Sequence, residues 1–137
     1  MTEEPPVPLE QTLDGTLGFE TLETGPERAR GRVTVERRIQ QPMGLVHGGV
    51  YAALAESLAS RATFEAVYPD GNVATGMSNQ TSFLRPITGG HVNAEARRRH
   101  KGRTTWIWDV DFTDDEGRLC ATTRVTMAVR PIPASGS

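Results

Sequence analysis

One carboxylate, Glu56, lies within a run of small and apolar residues that reads GGVYAALAESLASRA. A carboxylate in such surroundings is either solvated at the edge of a helix or buried, and burial without a partner raises its pKa. Such a group can act as a nucleophile or as a general base. Ser60 follows four residues later on the same helical face, where its hydroxyl could orient the carboxylate or a water molecule. The alternative, which the pattern alone slightly favours, is an exposed glutamate paired with Arg61.

A second candidate group is the turn His47-Gly48-Gly49, which directly precedes the helical run. Backbone N–H groups at a helix N-terminus are unpaired and carry the positive end of the helix dipole. Glycines let a ligand atom approach that backbone closely, so an acyl oxygen placed there would meet an oxyanion hole. Gln41, just upstream, could add a side-chain N–H to the same oxygen. The alternative is a structural turn capped by the histidine.

Other common site patterns are missing from the sequence. The three histidines, His47, His91 and His100, lack ligand-like spacing, so no metal site is expected. There is no G-x-S-x-G, P-loop or dinucleotide fingerprint. The single cysteine, Cys120, excludes an internal disulfide and is expected to be a buried structural thiol.

Six basic residues lie between Arg97 and Arg103, in a chain whose formal net charge is −2. They predict a local positive patch at a hairpin tip, with Arg85 and Thr104 near its ends. Such a patch suits a small polyphosphate better than a nucleic-acid duplex, which needs a broad basic stripe. The alternative is an edge strand whose solvated charges prevent further pairing.

One long helix and an antiparallel sheet would have to position these groups. The alanine-rich run predicts a helix between Leu45 and Val67, with Gly48 near its start and an apolar stripe at Val50, Leu54 and Leu58. Alternation of apolar and polar residues predicts strands, which are expected at 29–39, 73–84, 91–100, 104–113 and 119–129. Residues 13–22 could form a short helix or an irregular strand. One helix against about five strands predicts an α+β fold, with the sheet wrapped around the helix.

The length of 137 residues corresponds to one domain. Residues 11–130 are expected to form it, between a flexible arm at 1–10 and a flexible tail at 131–137. The 36% of hydrophobic residues is low, so subunit contacts are expected to bury part of the surface. No apolar run approaches the ~20 residues that span a bilayer, and the acidic, proline-rich N-terminus is unlike a signal peptide. No membrane association and a cytoplasmic location are therefore expected.

The segments GLVHGGVYAALAESLASRA, SFLRPITGGHVNAEA and GRTTWIWDVDFTDDEGRLCA resemble the hot-dog-fold acyl-CoA thioesterases. The resemblance runs from about Gln11 to Arg130. It is greatest to the 4-hydroxybenzoyl-CoA thioesterase branch, whose helix carries glutamate, whereas the phenylacetate-pathway thioesterases usually have aspartate there. The combination of HGG, the helical glutamate, FLRP and DDEGRLCA is typical of the superfamily.

The resemblance implies roles for five residues in catalysis. Glu56 matches the catalytic carboxylate, acting as nucleophile on the thioester carbonyl or as base for water. The Gly48 N–H and the Gln41 side chain match the donors that polarise the carbonyl. His47 matches a histidine that supports the loop. Ser60 stands where relatives have threonine, so it keeps the hydroxyl that helps position water but loses a methyl group.

The resemblance also implies the surroundings of the site. Asp14 matches a carboxylate near the acyl end, while Arg85, Arg103 and Thr104 fall where CoA phosphate contacts are expected. Arg103 replaces a smaller residue of relatives. The family forms tetramers, as dimers of dimers, in which each site pairs Glu56 of one subunit with the loop donors of its neighbour. No metal or redox cofactor is implied, because CoA is part of the substrate.

The implied reaction is hydrolysis of an acyl-CoA to a free acid and CoA, with 4-hydroxybenzoyl-CoA the favoured substrate. The alternatives are 1,4-dihydroxy-2-naphthoyl-CoA, phenylacetyl-CoA or a medium-chain acyl-CoA. A non-catalytic acyl-CoA sensor is a further alternative, against which Glu56 and the HGG turn argue, because a sensor needs no carboxylate at the carbonyl. A hydratase of the same fold usually carries an Asp-His pair in a different helix context, which this sequence lacks.

Overall fold

The computed structural model describes residues 5–134 of the chain. Two α-helices and six strands lie in this range. The helices are α1 (Leu13–Leu17) and α2 (Gly48–Val67). The strands are β1 (Glu20–Glu23), β2 (Arg28–Thr34), β3 (Asn72–Phe83), β4 (His91–Lys101), β5 (Thr105–Thr113) and β6 (Leu119–Pro131). Short 3₁₀ turns lie at Leu9–Gln11, Arg37–Ile39 and Tyr68–Asp70.

The long helix α2 begins at Gly48, three residues later than the predicted start at Leu45. The preceding residues lie in a loop because their backbone groups bond elsewhere. The Leu45 carbonyl accepts from the Gln41 N–H at 2.8 Å, and the Val46 N–H donates to the Ile87 carbonyl at 2.9 Å. These bonds hold the loop against the sheet and so fix where the helix starts.

All six strands form one antiparallel sheet in the order β1-β2-β4-β5-β6-β3. The predicted alternation is confirmed in β5, where Trp106, Trp108, Val110 and Phe112 are all buried. These side chains point to the face that packs on α2, whose Leu54 and Leu58 are also buried. The helix thus lies against one face of a curved sheet, and the α+β prediction is confirmed.

Three predictions for the strands differ from the structure. The strand expected at 29–39 ends at Thr34, because the Val35 N–H bonds to the Gly90 carbonyl at 2.8 Å and a 3₁₀ turn follows. Residues 13–22 contain both alternatives, since α1 is followed by the start of β1. This strand is the sixth, one more than expected, and it lies at a sheet edge.

The expected arm and tail lie partly outside the described residues, which exclude 1–4 and 135–137. Within the described range, Leu9–Gln11 forms a 3₁₀ turn and Pro131 is the last residue of β6. The flexibility of the arm and tail stays a prediction. Within residues 5–134, no helix is both long and apolar enough to cross a membrane.

A buried hydrogen bond joins the helix to the sheet. The Trp108 indole N–H donates to the Thr63 hydroxyl at 2.9 Å, and this hydroxyl donates to the Ala59 carbonyl at 2.7 Å. Both Trp108 and Thr63 are fully buried. Water therefore cannot replace either partner if the bond is lost.

We expect Thr63→Val, which preserves side-chain volume but removes the hydroxyl, to lower the free energy of unfolding by about 1–3 kcal/mol, because the indole N–H stays buried without an acceptor. Urea unfolding checks this value. Thr63→Ser is the control, because it keeps the hydroxyl and loses one methyl group, at about 0.8 kcal/mol. A serine variant less stable than the valine variant would contradict the role of the bond.

Candidate active site

The Glu56 carboxylate lies at the edge of the sheet, between α2 and β3, where it faces Gly76. It is exposed and borders an open cleft of about 450 Å³. The other lining residues are Leu13, Ala52, Ala53, Ser57 and Asn79. The alternative for Glu56 is correct about its exposure and wrong about its partner, because Arg61 pairs instead with Glu65, with Nε and Oε2 3.3 Å apart. Among residues 5–134, Glu56 has neither a hydrogen bond nor an ion pair, so its carboxylate is free for a ligand or water.

The His47-Gly48-Gly49 turn presents the N-terminus of α2. The His47 Nδ1 accepts a hydrogen bond from the Gly49 N–H at 2.9 Å, so the histidine caps the helix as the structural reading predicted. This bond leaves Nε2 to carry the proton of the neutral ring. Gly48 is the first helical residue, so its N–H has no partner within the helix, and it finds no backbone acceptor among residues 5–134.

An aromatic cluster packs against this turn. A Cβ added at Gly48 would lie 2.9 Å from Cζ of Phe83, so a side chain there would displace the ring. The Tyr51 ring lies 6.0 Å from the Phe83 ring and 5.2 Å from the Phe112 ring. Burial raises the pKa of Tyr51 to about 12, which keeps its hydroxyl neutral. Close packing thus requires glycine at the helix start independently of any ligand.

Gln41 lies in the loop before α2, with its amide orientation fixed by a neighbour. Its Oε1 accepts a hydrogen bond from the Met43 N–H, so its Nε2 group keeps both protons free to donate. The neighbouring Gln40 holds the loop, because its Nε2 donates to the Gly44 carbonyl at 2.9 Å and to the Thr88 carbonyl at 3.3 Å. The loop therefore presents a side-chain donor of the kind that an oxyanion hole needs.

One chain does not bring Glu56 and the loop donors to the same point. Gly48 and Glu56 are eight residues apart on α2, which is about 12 Å along the helix axis. A reacting carbonyl group accepts hydrogen bonds at about 3 Å, so a backbone separation of this size leaves the two groups of one chain poorly placed to share it. Ser60 also fails to reach the Glu56 carboxylate, because its hydroxyl points toward the Met127 sulfur at 3.7 Å.

Asp14 is brought to the Glu56 cleft by a contact that the sequence did not predict. The Ser57 hydroxyl donates to Asp14 Oδ1 at 2.6 Å and ties α1 to α2. Asn79 of β3 lines the same cleft and donates to the Ala52 carbonyl at 2.9 Å. Ser57 adjoins Glu56 in the sequence, which could have drawn attention to it, whereas Asn79 reaches the cleft only through strand pairing.

The expected phosphate contacts lie at opposite ends of the sheet. The Arg85 N–H bonds to the Cys120 carbonyl, while the Thr104 carbonyl bonds to the Val129 N–H, and these partners are nine residues apart on β6. Nine strand residues span about 30 Å, so one chain does not combine Arg85 with Arg103 and Thr104 around one phosphate group.

The basic segment is less positive than its sequence indicated. Arg97 pairs with Glu95, Arg98 with Glu27 at 3.7 Å, and Arg99 with Asp109 at 3.3 Å. These three arginines are surface ion-pair partners, but the edge-strand reading is wrong, because β4 lies inside the sheet between β2 and β5. Lys101 and Arg103 form no ion pair within residues 5–134, and they border a groove of about 530 Å³ at the C-terminal end of α2.

Two other sequence predictions concern the remaining ligand-type residues. Cys120 is buried, as predicted, and burial raises the pKa of its thiol. Within the described range, no three His, Cys, Asp or Glu side chains are grouped in a way that could hold a metal ion.

Comparison with known proteins identifies the family of this chain. The model of the thioesterase superfamily matches residues 43–121, which include the end of the loop before α2, the helix, strands β3, β4 and β5, and the start of β6. The chain belongs to the thioesterase superfamily. Rv1847 of Mycobacterium tuberculosis is 39% identical over 126 residues, which is 89% of this chain and 90% of that protein. The proofreading thioesterase EntH of Cronobacter turicensis is 36% identical over 86% of this chain and 85% of its own length.

A solved thioesterase structure confirms the fold of this superfamily member. The thioesterase PA1618 of Pseudomonas aeruginosa, in a variant with one glutamine replaced by alanine, superposes with a TM-score of 0.86 and 34% identity. The match covers 90% of this chain and 89% of that one. The predicted hot-dog fold, an antiparallel sheet around one long helix, is thereby confirmed.

Proposed function

We propose that this chain is a thioesterase that hydrolyses an aromatic acyl-CoA, with 4-hydroxybenzoyl-CoA as the favoured substrate. The observation that carries the proposal is the unpaired Glu56 carboxylate in an open cleft of a thioesterase-superfamily fold. The proposal includes a cytoplasmic enzyme without metal or redox cofactor, because a carboxylate and hydrogen-bond donors suffice for acyl transfer. The thioesterase names of EntH and PA1618 support the reaction class.

Glu56 would act on the thioester carbonyl in one of two ways. As a nucleophile, its oxygen bonds to the carbonyl carbon, the carbon–sulfur bond breaks, and water then hydrolyses the acyl-glutamyl anhydride. As a base, it takes a proton from the attacking water, and this proton reaches the departing CoA thiolate. In both cases the Gly48 N–H and the Gln41 amide would donate to the oxyanion, and His47 would keep their loop in place.

The donors in this proposal come from a second copy of the chain. The separation of about 12 Å between the Gly48 and Glu56 backbones along α2 supports this arrangement. Strand β3 would give the contact surface, because it lies at the sheet edge beside Glu56 and, among residues 5–134, pairs with no strand other than β6. A twelve-residue strand with one free edge is a template for pairing, and its Met77 and Phe83 are exposed. We propose a dimer through this edge and a tetramer built as a dimer of dimers.

The cleft beside Glu56 supports the choice of an aromatic acyl group. Its walls at Leu13, Ala52 and Ala53 are apolar and would pack against a ring. Asp14 Oδ1 accepts from Ser57, and Oδ2 has no hydrogen-bond partner among residues 5–134. That oxygen would accept a hydrogen bond from a ring hydroxyl. To hold the attacking water at the other side of the carboxylate, the Ser60 hydroxyl would have to turn away from the Met127 sulfur.

The first prediction compares the wild type and Glu56→Gln on a panel of acyl-CoA substrates with thiol detection. We expect the wild type to prefer hydroxylated aromatic acyl groups over naphthoyl, phenylacetyl and medium-chain groups. Glu56→Gln should lower kcat by about 10²–10⁴-fold, because the amide can neither attack nor take a proton. Arg61→Gln is the control, since Arg61 pairs with Glu65. Unchanged turnover in Glu56→Gln, or tight acyl-CoA binding by an inactive wild type, would contradict the proposal.

The second prediction tests whether one site uses two chains. Glu56→Gln and Gln41→Ala chains with different tags are co-expressed, and the mixed species is purified through both tags. In a mixed dimer, one site combines the intact Glu56 with the intact Gln41, so we expect about half of the wild-type activity per dimer. Each homodimer alone should be nearly inactive. Mixed species no more active than the two homodimers would contradict a shared site.

The third prediction concerns Lys101 and Arg103, which border the groove at the C-terminal end of α2 and form no ion pair within residues 5–134. CoA phosphates would bind Arg103 and Lys101 of one chain and Arg85 of another, with Thr104 beside them. We expect Arg103→Ala to raise KM for acyl-CoA about tenfold and leave kcat nearly unchanged, because the contact is the same in ground and transition states. KM for the matching acyl-N-acetylcysteamine, which has no phosphates, should not change.

Arg97→Ala is the matched control for the phosphate contact, since Arg97 lies on the same hairpin but is paired with Glu95. It should change neither KM. Equal increases in both Arg103→Ala KM values would contradict a phosphate contact.

A further inference from the structure

Gly76 of β3 lies directly opposite the Glu56 carboxylate. A Cβ built on Gly76 would lie 3.3 Å from Glu56 Cδ, 3.4 Å from Oε2 and 3.6 Å from Oε1. These are the three nearest heavy atoms, so the carboxylate is the first group that any side chain would meet. The backbone itself does not require glycine, because φ of Gly76 is not in the left-handed region. The space beside Glu56 is therefore the physical reason for a missing side chain.

A β-bulge brings Gly76 to this place. Gly76 pairs with Met127 and Ser78 pairs with Thr126, so Met77 is an extra residue in β3. Residues directly opposite in a sheet share a face, and Met127 is buried, so Gly76 faces the helix. Beyond the bulge, Asn79 faces the helix as well, since it donates to Ala52. Without the extra residue, the strict alternation from Asn79 would point Met77 at Glu56.

We propose that Gly76 is a positioning residue, which sets the place of the Glu56 carboxylate and keeps open the space that the reacting groups occupy. This inference rests on the proposed function of Glu56. The bulge turns the large Met77 side chain outward, where it is exposed, and the glycine leaves the remaining gap. A side chain at position 76 would push the carboxylate by a few tenths of an ångström and fill the gap.

If Gly76 were needed only for folding, replacing it with a larger residue would lower Tm. Glycine weakens a strand interior, and Ala or Val at an unstrained strand position is neutral or stabilising. If Gly76 serves catalysis, larger side chains should lower kcat while Tm stays the same or rises. Measuring kcat and Tm together therefore distinguishes a positioning role of Gly76 from a role in folding.

The experiment uses the full-length chain with Gly76→Ala and Gly76→Val. We expect kcat to fall about tenfold for Gly76→Ala and about 10²-fold for Gly76→Val, because small misplacements of a reacting group are costly. Tm should not fall in either variant. Gly89→Ala is the matched control, since Gly89 has open space around its Cβ position and ordinary φ, and it should leave kcat unchanged. Unchanged kcat in Gly76→Val, or a kcat loss matched by a fall in Tm, would overturn the proposal.

Two further measurements separate this inference from the proposed function. In a Glu56→Gln background, Gly76→Ala should cause no additional loss of kcat, because its effect passes through the carboxylate. Additive losses would overturn a positioning role. In NMR spectra of chains with labelled glutamate carboxyl groups, Gly76→Ala should shift the Glu56 resonance, which Glu56→Gln identifies, and Gly89→Ala should not. An unshifted resonance would overturn the proposal even if no thioester were hydrolysed.

Discussion

A single rigid helix carries both the proposed oxyanion donor, Gly48, and the proposed catalytic carboxylate, Glu56, so the spacing of the two residues constrains any site that uses both. Eight helical residues separate Gly48 from Glu56, so the two groups of one chain are poorly placed to meet at one carbonyl. The free edge of β3 beside Glu56 offers a way to complete the site. A second copy that pairs there would bring its own loop close to the first helix. The separated groups and the unpaired strand edge therefore both point to the same proposal, a site completed by a second copy of the chain.

The core explains how a chain with few large apolar residues holds such a helix in place. The side of α2 against the sheet combines leucines with Ala55, Ala59 and Ala62, all buried, so the helix backbone approaches the strands closely. The bulky groups come from the sheet, where Trp108 and Phe112 are fully buried. The bond from Trp108 to Thr63 gives this contact a fixed register. Low apolar content is therefore compatible with a well-packed interior.

Local sequence patterns predicted the helix and strands that have a strong periodicity. They failed where contacts between residues far apart in the sequence determine the structure. The alternation in β5 and the alanines of α2 have clear periods, so both elements were predictable. The strand expected to reach Ile39 ended early because a backbone bond to Gly90, more than fifty residues away, turns the chain. In the site, Glu56 and the loop donors were visible through residue type and neighbours. The Ser57–Asp14 bond, across 43 residues, and the separation of Arg85 from Arg103 depend on strand pairing, for which local sequence has no signal.

The edge strand has two requirements that conflict, and the bulge at Met77 resolves them. For pairing with another copy, β3 needs a long regular edge, whereas the carboxylate beside it needs space that regular alternation would fill with a methionine side chain. One inserted residue shifts the alternation, so that even-numbered residues before it and odd-numbered residues after it face the helix. The strand then remains continuous over twelve residues and still presents glycine to Glu56. In the proposed dimer, this bulge would let one strand provide both the interface and one wall of the candidate site.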